Sequence, residues 1–392
     1  MGFTKVSSMK LFKYILAVII ETLLRVFPFP CKTGLVKIGN PNRDSPVFLT
    51  GNFHLTVERV KRALKGIDCY LLVANSKGIN VWCASAGGLL TNHDVISVLN
   101  TSGIKNLVDH KRVILPQFAA TGVDAAQLQK KTRWKVVWGP AYANDISAFL
   151  ENNRQKTPQM RSARFPLTQR FEMAISWAFP ISALTAAIMA LFWPEAILPL
   201  ILLIWALAFL IFLTFPFYER WLNVEGKRTG LVHFDFGRGG LQLILWGIIL
   251  LGLFVYGILI GGLNWPFMVR WGLITLIVVF VLSLDLMGST PTFKSGLHED
   301  RLLKIVLDAE KCKGAGFCEQ VCPRNCFEVD QSARTAAMPR AELCVQCGAC
   351  IVQCPFDALY FRTPKGETIP PEIIRKYKLN FLGERSIKND LF

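Results

Sequence analysis

The sequence has 392 residues, 52% of them hydrophobic, and a formal net charge of +16 at pH 7. Roughly two or three domains fit this length, and the hydrophobic share is high for a soluble chain, so it predicts a membrane portion. The positive charge does not predict nucleic-acid binding, because no basic and aromatic stripe or nucleic-acid motif accompanies it. Positive charge kept on the cytoplasmic side of a membrane is the simpler explanation.

Residues 1–30 are predicted to form an amphipathic N-terminal helix at the membrane interface. On a helix over residues 9–27, the charged residues fall near one face and large apolar residues fall roughly on another. The charged residues are Lys10, Lys13, Glu21 and Arg25, and the apolar ones are Leu11, Ile15, Ile19 and Leu23. Pro28 and Pro30 would end the helix, and no signal-peptide cleavage sequence follows. A helix that crosses the membrane is the alternative.

Residues 31–156 are predicted to form a Rossmann-like α/β domain, because short apolar runs typical of strands alternate with helical patterns. The predicted strands are Val47–Thr50, Cys69–Ala74, Ile79–Trp82, Val113–Leu115 and Val136–Trp138. The predicted helices are Leu55–Leu64, Asp94–Leu99, Ala125–Lys131 and Asp145–Leu150. Ligands of such folds bind beyond the carboxyl ends of the strands, which makes the turn that begins at Cys83 a candidate site. Taken alone, a single cysteine there is more often a small buried residue.

Residues 157–170 are predicted to be a basic linker, and residues 171–290 a region of four transmembrane helices. The predicted spans cover residues 173–194, 196–218, 239–269 and 271–289, with turns near Glu195 and Trp265. The loop between the second and third spans contains several basic residues: Arg220, Lys227, Arg228 and Arg238. This concentration of basic residues in one loop predicts that the loop and both soluble domains are cytoplasmic. Asp285 is a functional candidate inside a span, although it lies near enough to the end to reach interfacial water.

Residues 300–363 are predicted to form a bacterial-type two-cluster ferredoxin domain of the α+β class, and residues 364–392 a polar, basic tail. Eight of the eleven cysteines fall between residues 312 and 354, which indicates metal ligands in a reducing compartment. The second half of the domain has the bacterial iron–sulfur spacing Cys344-x2-Cys347-x2-Cys350-x3-Cys354-Pro355. The first half has the related run Cys312-x2-Ala315-x2-Cys318-x3-Cys322-Pro323, in which Ala315 replaces the second cysteine.

Ligands are exchanged between the two runs in two-cluster ferredoxins, since the fourth cysteine of each run binds the other cluster. One complete [4Fe–4S] cluster is therefore predicted, with thiolates from Cys322, Cys344, Cys347 and Cys350. The other cluster would have three thiolates, from Cys312, Cys318 and Cys354. It is predicted to be either a [3Fe–4S] cluster or a [4Fe–4S] cluster that lacks one cysteine ligand. Cys326 is either the missing ligand or a packed free cysteine, as in the seven-iron ferredoxins that this stretch resembles.

The run Asn80-Val81-Trp82-Cys83-Ala84-Ser85 resembles the cap-helix motif of the corrinoid protein of mercury methylation. That family is itself similar to the corrinoid iron–sulfur protein of acetyl-CoA synthesis. Shorter similarities include Ile38-Gly39-Asn40-Pro41, Ile114-Leu115-Pro116-Gln117, Val137-Trp138-Gly139-Pro140 and Gly288-Ser289-Thr290. The ferredoxin part resembles the partner protein of the same system, which is normally a separate polypeptide. The chain therefore resembles the two proteins fused.

The resemblance implies that residues 31–156 bind a cobalamin-type corrinoid, with Cys83 as catalytic residue and lower axial ligand of the cobalt. The implied cofactor-binding residues are Asn80, Val81, Trp82, Cys83, Ala84 and Ser85. A soft thiolate opposite the methyl group would favour methyl release to a soft acceptor, and mercury(II) is the acceptor that the resemblance implies. Three departures weaken the case for mercury. Ala86-Gly87-Gly88 replaces the family's Gly-Lys, no cysteine follows Cys354, where the family's ferredoxin usually has a pair, and Ala315 removes a cluster ligand.

The sequence thus predicts a corrinoid-dependent methyltransferase of the cytoplasmic (inner) membrane, whose fused ferredoxin reduces the cobalt. The predicted partners are membrane lipid, a low-potential electron donor, and either a methyltransferase or a methyl-folate-type compound as methyl donor. A paralogue that methylates a different acceptor is one alternative. A membrane-tethered ferredoxin that carries electrons without methyl chemistry is the other.

Overall fold

The computed structural model describes residues 11–219, 241–284, 303–363, 365–379 and 385–387. The chain forms two compact units. One contains the α/β domain, the ferredoxin domain and the N-terminal helix as far as Glu21, and the other contains the long apolar helices. The basic loop after the second span, Asp285 and the Gly288-Ser289-Thr290 run were singled out in the sequence, and they lie outside the described residues.

Helix α1 (Leu11–Leu23) has the amphipathic character that the sequence predicts. Its exposed apolar side chains are Leu11, Phe12, Ile15, Leu16, Ile19 and Ile20. On its other side Glu21 is buried, accepts the Leu55 N–H at 3.0 Å and pairs with His54. The hydrogen bond to Glu21 raises the pKa of His54. Glu21 therefore joins the helix to the α/β domain, and the six apolar side chains are exposed.

The α/β domain comprises eleven elements from residue 34 to residue 161. They are β1 (Gly34–Ile38), β2 (Val47–Gly51), α2 (His54–Ala63), β3 (Cys69–Ala74), α3 (Val81–Ala86), α4 (Asn92–Thr101), β4 (Arg112–Leu115), α5 (Ala125–Thr132), β5 (Lys135–Trp138), α6 (Ile146–Glu151) and α7 (Pro158–Arg161). The strand order is β1-β3-β2-β4-β5. Strands β2 to β5 are parallel and β1 is antiparallel to β3 at the edge.

Two strands at the centre of this sheet, β2 and β3, are buried at every residue, as expected when helices cover both faces. Counted from β2 as the first parallel strand, the order is 2-1-3-4. This is a doubly wound arrangement that reverses between β2 and β4, and ligands bind at the carboxyl ends of strands beside such a reversal. The predicted α/β class is confirmed.

One local prediction for this domain is wrong, and one strand was missed. Ile79–Trp82 is not a strand, because Asn80 is the N-cap of helix α3, which begins at Val81. A short apolar run does not distinguish a strand from a buried helix turn by periodicity. Strand β1 was not predicted, and most of its residues are only partly buried. An edge strand of this kind has no continuous apolar signal.

The second unit contains α8 (Leu167–Phe192), α9 (Ile197–Tyr218), α10 (Leu241–Leu259) and α11 (Trp265–Leu284). Small side chains of α8, Ala174 and Ala178, are buried in one core cluster with Ala208 of α9, and small residues allow such close helix packing. Within the described residues, α8, α11 and the α9 helix with its preceding turn are long and apolar enough to cross a membrane. The apolar stretch described for α10, Leu243–Leu259, is shorter, so a fourth crossing stays a prediction.

The ferredoxin domain and the start of the tail complete the first unit. Their elements are β6 (Lys304–Leu307), α12 (Phe317–Val321), β7 (Glu328–Asp330), β8 (Thr335–Ala337), α13 (Ala349–Gln353), β9 (Leu359–Arg362), β10 (Thr368–Ile369), α14 (Pro371–Lys376), β11 (Tyr377–Leu379) and β12 (Arg385–Ile387). Strands β10, β9 and β6 form an antiparallel sheet. Arg375 of α14 donates to the Cys354 carbonyl at 2.9 Å and pairs with Asp357, which packs the first turn of the tail against the ferredoxin.

Candidate functional site

Helix α3 presents Cys83 at its surface. The Asn80 side chain accepts the Cys83 N–H at 3.0 Å, which satisfies a backbone donor that the first helical turn leaves free. Three of the predicted cofactor-binding residues, Val81, Ala84 and Ser85, are buried beneath the helix. Cys83 is exposed and Trp82 is partly exposed beside it. The six-residue motif thus divides into a capping residue, three residues that anchor the helix, and two that face outward.

The loop before α3 is held by Asn52, a buried residue that directly follows β2. Its side-chain oxygen accepts the Ser76 N–H at 2.8 Å, the Gly78 N–H at 3.0 Å and the Ser76 hydroxyl at 3.1 Å. Buried polar groups need such partners, so this residue fixes the approach of the chain to α3. The sequence analysis missed Asn52, although a polar residue directly after a mostly apolar strand was a usable signal.

Aromatic side chains from the segments that follow three strands of the sheet meet beside the helix that contains Cys83. Trp82 stacks on Phe118, with ring centroids 4.1 Å apart and an interplanar angle of 23°. Phe118 in turn meets the edge of Tyr142, with centroids 6.3 Å apart. These residues follow β3, β4 and β5 respectively, so they lie at the edge where a doubly wound sheet binds ligands. Phe118 and Tyr142 were not predicted.

Phe118 belongs to a segment that supports α3, defined here as the 117–123 segment. It consists of the 3-10 helix Gln117–Thr121 followed by Gly122 and Val123. A Cβ at Gly122 would lie 2.7 Å from the Ser85 carbonyl oxygen and closer still to that of Leu90. The segment therefore touches α3 near its end through Gly122 and near its start through the ring stack on Trp82.

In the ferredoxin domain, the cysteines gather around two separate cavities. One cavity is lined by Cys322, Cys344, Cys347 and Cys350, together with Cys326. The other is lined by Cys312, Cys318 and Cys354, together with Ala315. These are the two groups that the exchange of fourth cysteines predicts.

Three buried thiols at these cavities would be protonated without iron. Burial raises the pKa of Cys318 and of Cys347 to about 12, and it raises that of Cys350 well above its ordinary value. Only the thiolate binds metal, so the assembly of a cluster must release these protons. A hydrogen bond from Cys326 instead lowers the pKa of Cys322 to about 7. The residues present therefore fit iron–sulfur ligation, and their assignment to particular irons stays a prediction.

Cys326 lies on the cavity with four other cysteines and not on the one beside Ala315. Its N–H donates to the Cys322 sulfur at 3.3 Å, and its side chain is 1% exposed. This position favours a packed free cysteine over a ligand that completes the second cluster. The position of Ala315 at the second cavity leaves that site with three cysteines among the residues that line it.

We expect Ala315→Cys to supply the missing thiolate and to raise the iron content from about seven to about eight atoms per chain. The expected spectroscopic change is loss of the electron paramagnetic resonance signal of an oxidised three-iron cluster. Iron analysis and that spectrum check the prediction. Ala337→Cys, at an exposed alanine of the same domain, should change neither. A second site that already contains four irons in the wild type would contradict the three-iron form.

Comparison with known proteins assigns the two soluble parts separately. Residues 19–150 match the family described as CO dehydrogenase/acetyl-CoA synthase delta subunit, and residues 308–368 match the 4Fe-4S dicluster domain. The first of these parts is thus similar to that subunit family, and the second is similar to dicluster ferredoxin domains. The matched residues include Cys83 and all the predicted iron–sulfur cysteines.

Curated relatives align with about a third of the chain. Acetyl-CoA decarbonylase/synthase complex subunit gamma 2 of Methanosarcina mazei is 38% identical over 130 residues, covering 32% of this chain and 27% of that protein. The gamma subunit of Archaeoglobus fulgidus is 36% identical over 128 residues, covering 32% and 27%. The corrinoid/iron-sulfur protein large subunit of Moorella thermoacetica is 33% identical over 128 residues, covering 32% and 28%. The chain therefore spans little more than a quarter of the length of these relatives.

Proposed function

We propose that this chain is a membrane-bound, corrinoid-dependent methyltransferase that contains its own iron–sulfur reductant. The observation that carries the proposal is the exposed Cys83 beside a stacked Trp82–Phe118 pair, in one compact unit with a two-cluster ferredoxin domain. A soft thiolate donor and an aromatic surface suit a large, flat cobalt cofactor, and two clusters suit the electron supply that cobalt reduction needs.

The residues around Cys83 fit such a cofactor. Because Cys83 contributes only its backbone to the helix cap, its sulfur would be able to bind cobalt. Trp82 is partly exposed next to it and stacks on Phe118, so the pair would offer an aromatic surface to the cofactor. When bound, the corrinoid would supply a cobalt ion that accepts a methyl group in its most reduced state and releases it to a soft acceptor.

One relative supports the cofactor assignment by the chemistry that its name states. The Moorella thermoacetica relative is named as a corrinoid/iron-sulfur protein, and its alignment with this chain covers 128 residues. The Methanosarcina mazei relative is named as a subunit of acetyl-CoA decarbonylase/synthase. Since this chain spans only part of each relative, corrinoid binding here is a proposal that rests on Cys83 and the surrounding geometry as well.

The proposed methyl acceptor is a soft electrophile, and mercury(II) is the first to test. The reason is the likeness of the run from Asn80 to Ser85 to the mercury-methylation motif. The altered Ala86-Gly87-Gly88 turn keeps a second candidate open, a paralogue with a different soft acceptor. Methylated product formed from mercury(II) by methylcobalamin-loaded protein, compared with loaded protein given no acceptor, separates the two candidates.

We further propose that the chain lies in the cytoplasmic membrane with its redox domains on the cytoplasmic side. Three described helices have the length and composition to cross a membrane. The basic residues between the predicted second and third spans favour this orientation. A low-potential electron donor and a methyl donor, either a methyltransferase or a methyl-folate-type compound, would then reach the protein from the cytoplasm.

The first experiment is cobalt analysis of anaerobically purified protein after incubation with cobalamin and removal of the excess. The methyltransferase proposal predicts near-stoichiometric cobalt in addition to iron and sulfide. Iron and sulfide without cobalt would reject it and would support the alternative, a membrane-tethered electron carrier. Omitting the cobalamin provides the control for adventitious cobalt.

A further inference from the structure

The ferredoxin domain contacts the 117–123 segment through Gln353, the last residue of α13. The Gln353 side-chain amide donates to the Ala120 carbonyl at 2.8 Å and to the Val123 carbonyl at 2.7 Å. Its oxygen accepts the Ala125 N–H at 3.2 Å. The residue is 6% exposed, so a buried amide uses both donors and its acceptor on the backbone of the other domain.

A second buried contact joins the same two domains. The Lys156 ammonium donates to the Gln117 side chain at 2.7 Å, to the Gly139 carbonyl at 3.1 Å and to the Gln320 carbonyl at 2.7 Å. The last of these carbonyls belongs to α12. Gln117 also donates to the Val321 carbonyl at 3.4 Å. Both α12 and α13, the helices that contain predicted cluster cysteines, are thus hydrogen-bonded to the α/β domain.

These contacts between the domains lie within a few residues of the groups that support the helix containing Cys83. Ala120 and Val123, whose carbonyls bind Gln353, flank Gly122, which touches the Ser85 carbonyl of α3. Phe118 of the same segment stacks on Trp82. On the ferredoxin side, Gln353 directly precedes Cys354, a predicted ligand of the second cluster. A continuous chain of contacts therefore runs from that cysteine to both ends of the helix that presents Cys83.

We propose that Gln353 is a positioning residue through which the docked ferredoxin domain holds the 117–123 segment, and thereby α3, in the orientation that lets Cys83 bind cobalt. This inference rests on the proposed function, since it concerns the same thiolate. It adds a second role for the ferredoxin domain: besides supplying electrons, the domain shapes the site that receives them. Without this docking, the Cys83 thiolate would be held less firmly, and electron transfer from the clusters to cobalt would be weakened as well.

The test is Gln353→Met, which keeps the length of the side chain and removes all its hydrogen-bonding atoms. Gln320→Met is the matched control, because Gln320 lies on the other cluster-bearing helix and is exposed. In cobalamin-free protein, amide hydrogen exchange in residues 81–87 and 117–123 should be about tenfold faster in Gln353→Met than in the control, because buried groups lose their partners. In cobalamin-loaded protein, the ratio of thiolate-ligated to unligated cobalt should fall by a similar factor.

A second variant disturbs the support without altering the ferredoxin. Gly122→Ala inserts a methyl group against the Ser85 carbonyl, so the segment and α3 must move apart. It should keep the wild-type iron content and lose thiolate ligation as Gln353→Met does. This variant decides the question if Gln353→Met fails to assemble its clusters.

If these variants keep the wild-type rates of amide hydrogen exchange and the wild-type fraction of thiolate-ligated cobalt, the inference is overturned and the proposed function stays intact. If instead wild-type protein shows no cobalt spectrum that depends on Cys83, the proposed function fails. The exchange comparison in cobalamin-free protein would still show whether Gln353 supports α3, so the two failures are distinguishable.

Discussion

Cys83→Ala is expected to lower methyl transfer from bound corrinoid by more than about a hundredfold, because even groups that only orient a metal ligand are worth ~10–100-fold. The fold should not change. The Cys83 side chain is exposed and lies outside the hydrophobic core, and an alanine keeps the backbone N–H that Asn80 accepts. The measurement is anaerobic single-turnover methyl transfer by protein loaded with methylcobalamin.

The control for this variant is Cys31→Ala, at a partly exposed cysteine of the same α/β domain. It removes a thiol of the same domain without touching α3. Equal methyl transfer by the two variants would show that Cys83 is not the cobalt ligand. Iron content should equal that of the wild type in both, which separates a loss of cobalt chemistry from a loss of the clusters.

Cys350→Ala is expected to abolish the complete cluster and to remove about four iron atoms per chain. Cys350 is buried on α13 in the cavity that it shares with Cys322, Cys344 and Cys347. Without this thiolate one iron loses its ligand, and the first cavity would no longer supply low-potential electrons. Iron analysis and the visible spectrum after reduction measure the loss, and reduction of bound cobalt should be lost with it.

Cys326→Ala is the matched control, because Cys326 is buried on the same cavity but is predicted to be free. This variant should retain its iron and its low-potential reduction. If Cys326→Ala loses as much iron as Cys350→Ala, the ligand assignment is wrong and Cys326 takes part in holding the cluster. An iron content in Cys350→Ala equal to that of the wild type would also contradict the assignment of Cys350 as a ligand.

The iron–sulfur part was predictable because its cysteine ligands are recognised by their spacing along a short stretch of sequence. The interval from Cys344 to Cys354 places thiolates on one loop and one short helix, and the exchange of fourth cysteines then predicts which residues share a cavity. The long apolar helices were also predictable, since their signal is the length of an uncharged run. For α10 the described apolar stretch of Leu243–Leu259 falls short of that length. Composition alone therefore does not decide whether α10 crosses a membrane.

The support of Cys83 was not predictable, because it depends on contacts between distant parts of the chain. Asn52 bonds Ser76, Phe118 stacks on Trp82, and Gln353 reaches Ala120. None of these pairs has a periodic spacing that a local pattern would reveal. The helical state of Val81–Ala86 was missed for a related reason, since tertiary burial of one face makes a short helix resemble a strand in sequence.

The most direct test of the account is X-ray absorption at the cobalt edge of cobalamin-loaded protein, wild type beside Cys83→Ala. The account predicts a sulfur neighbour of cobalt in the wild type and its replacement by a lighter atom in Cys83→Ala. Cobalt surrounded only by nitrogen, oxygen or carbon in both proteins would contradict thiolate ligation.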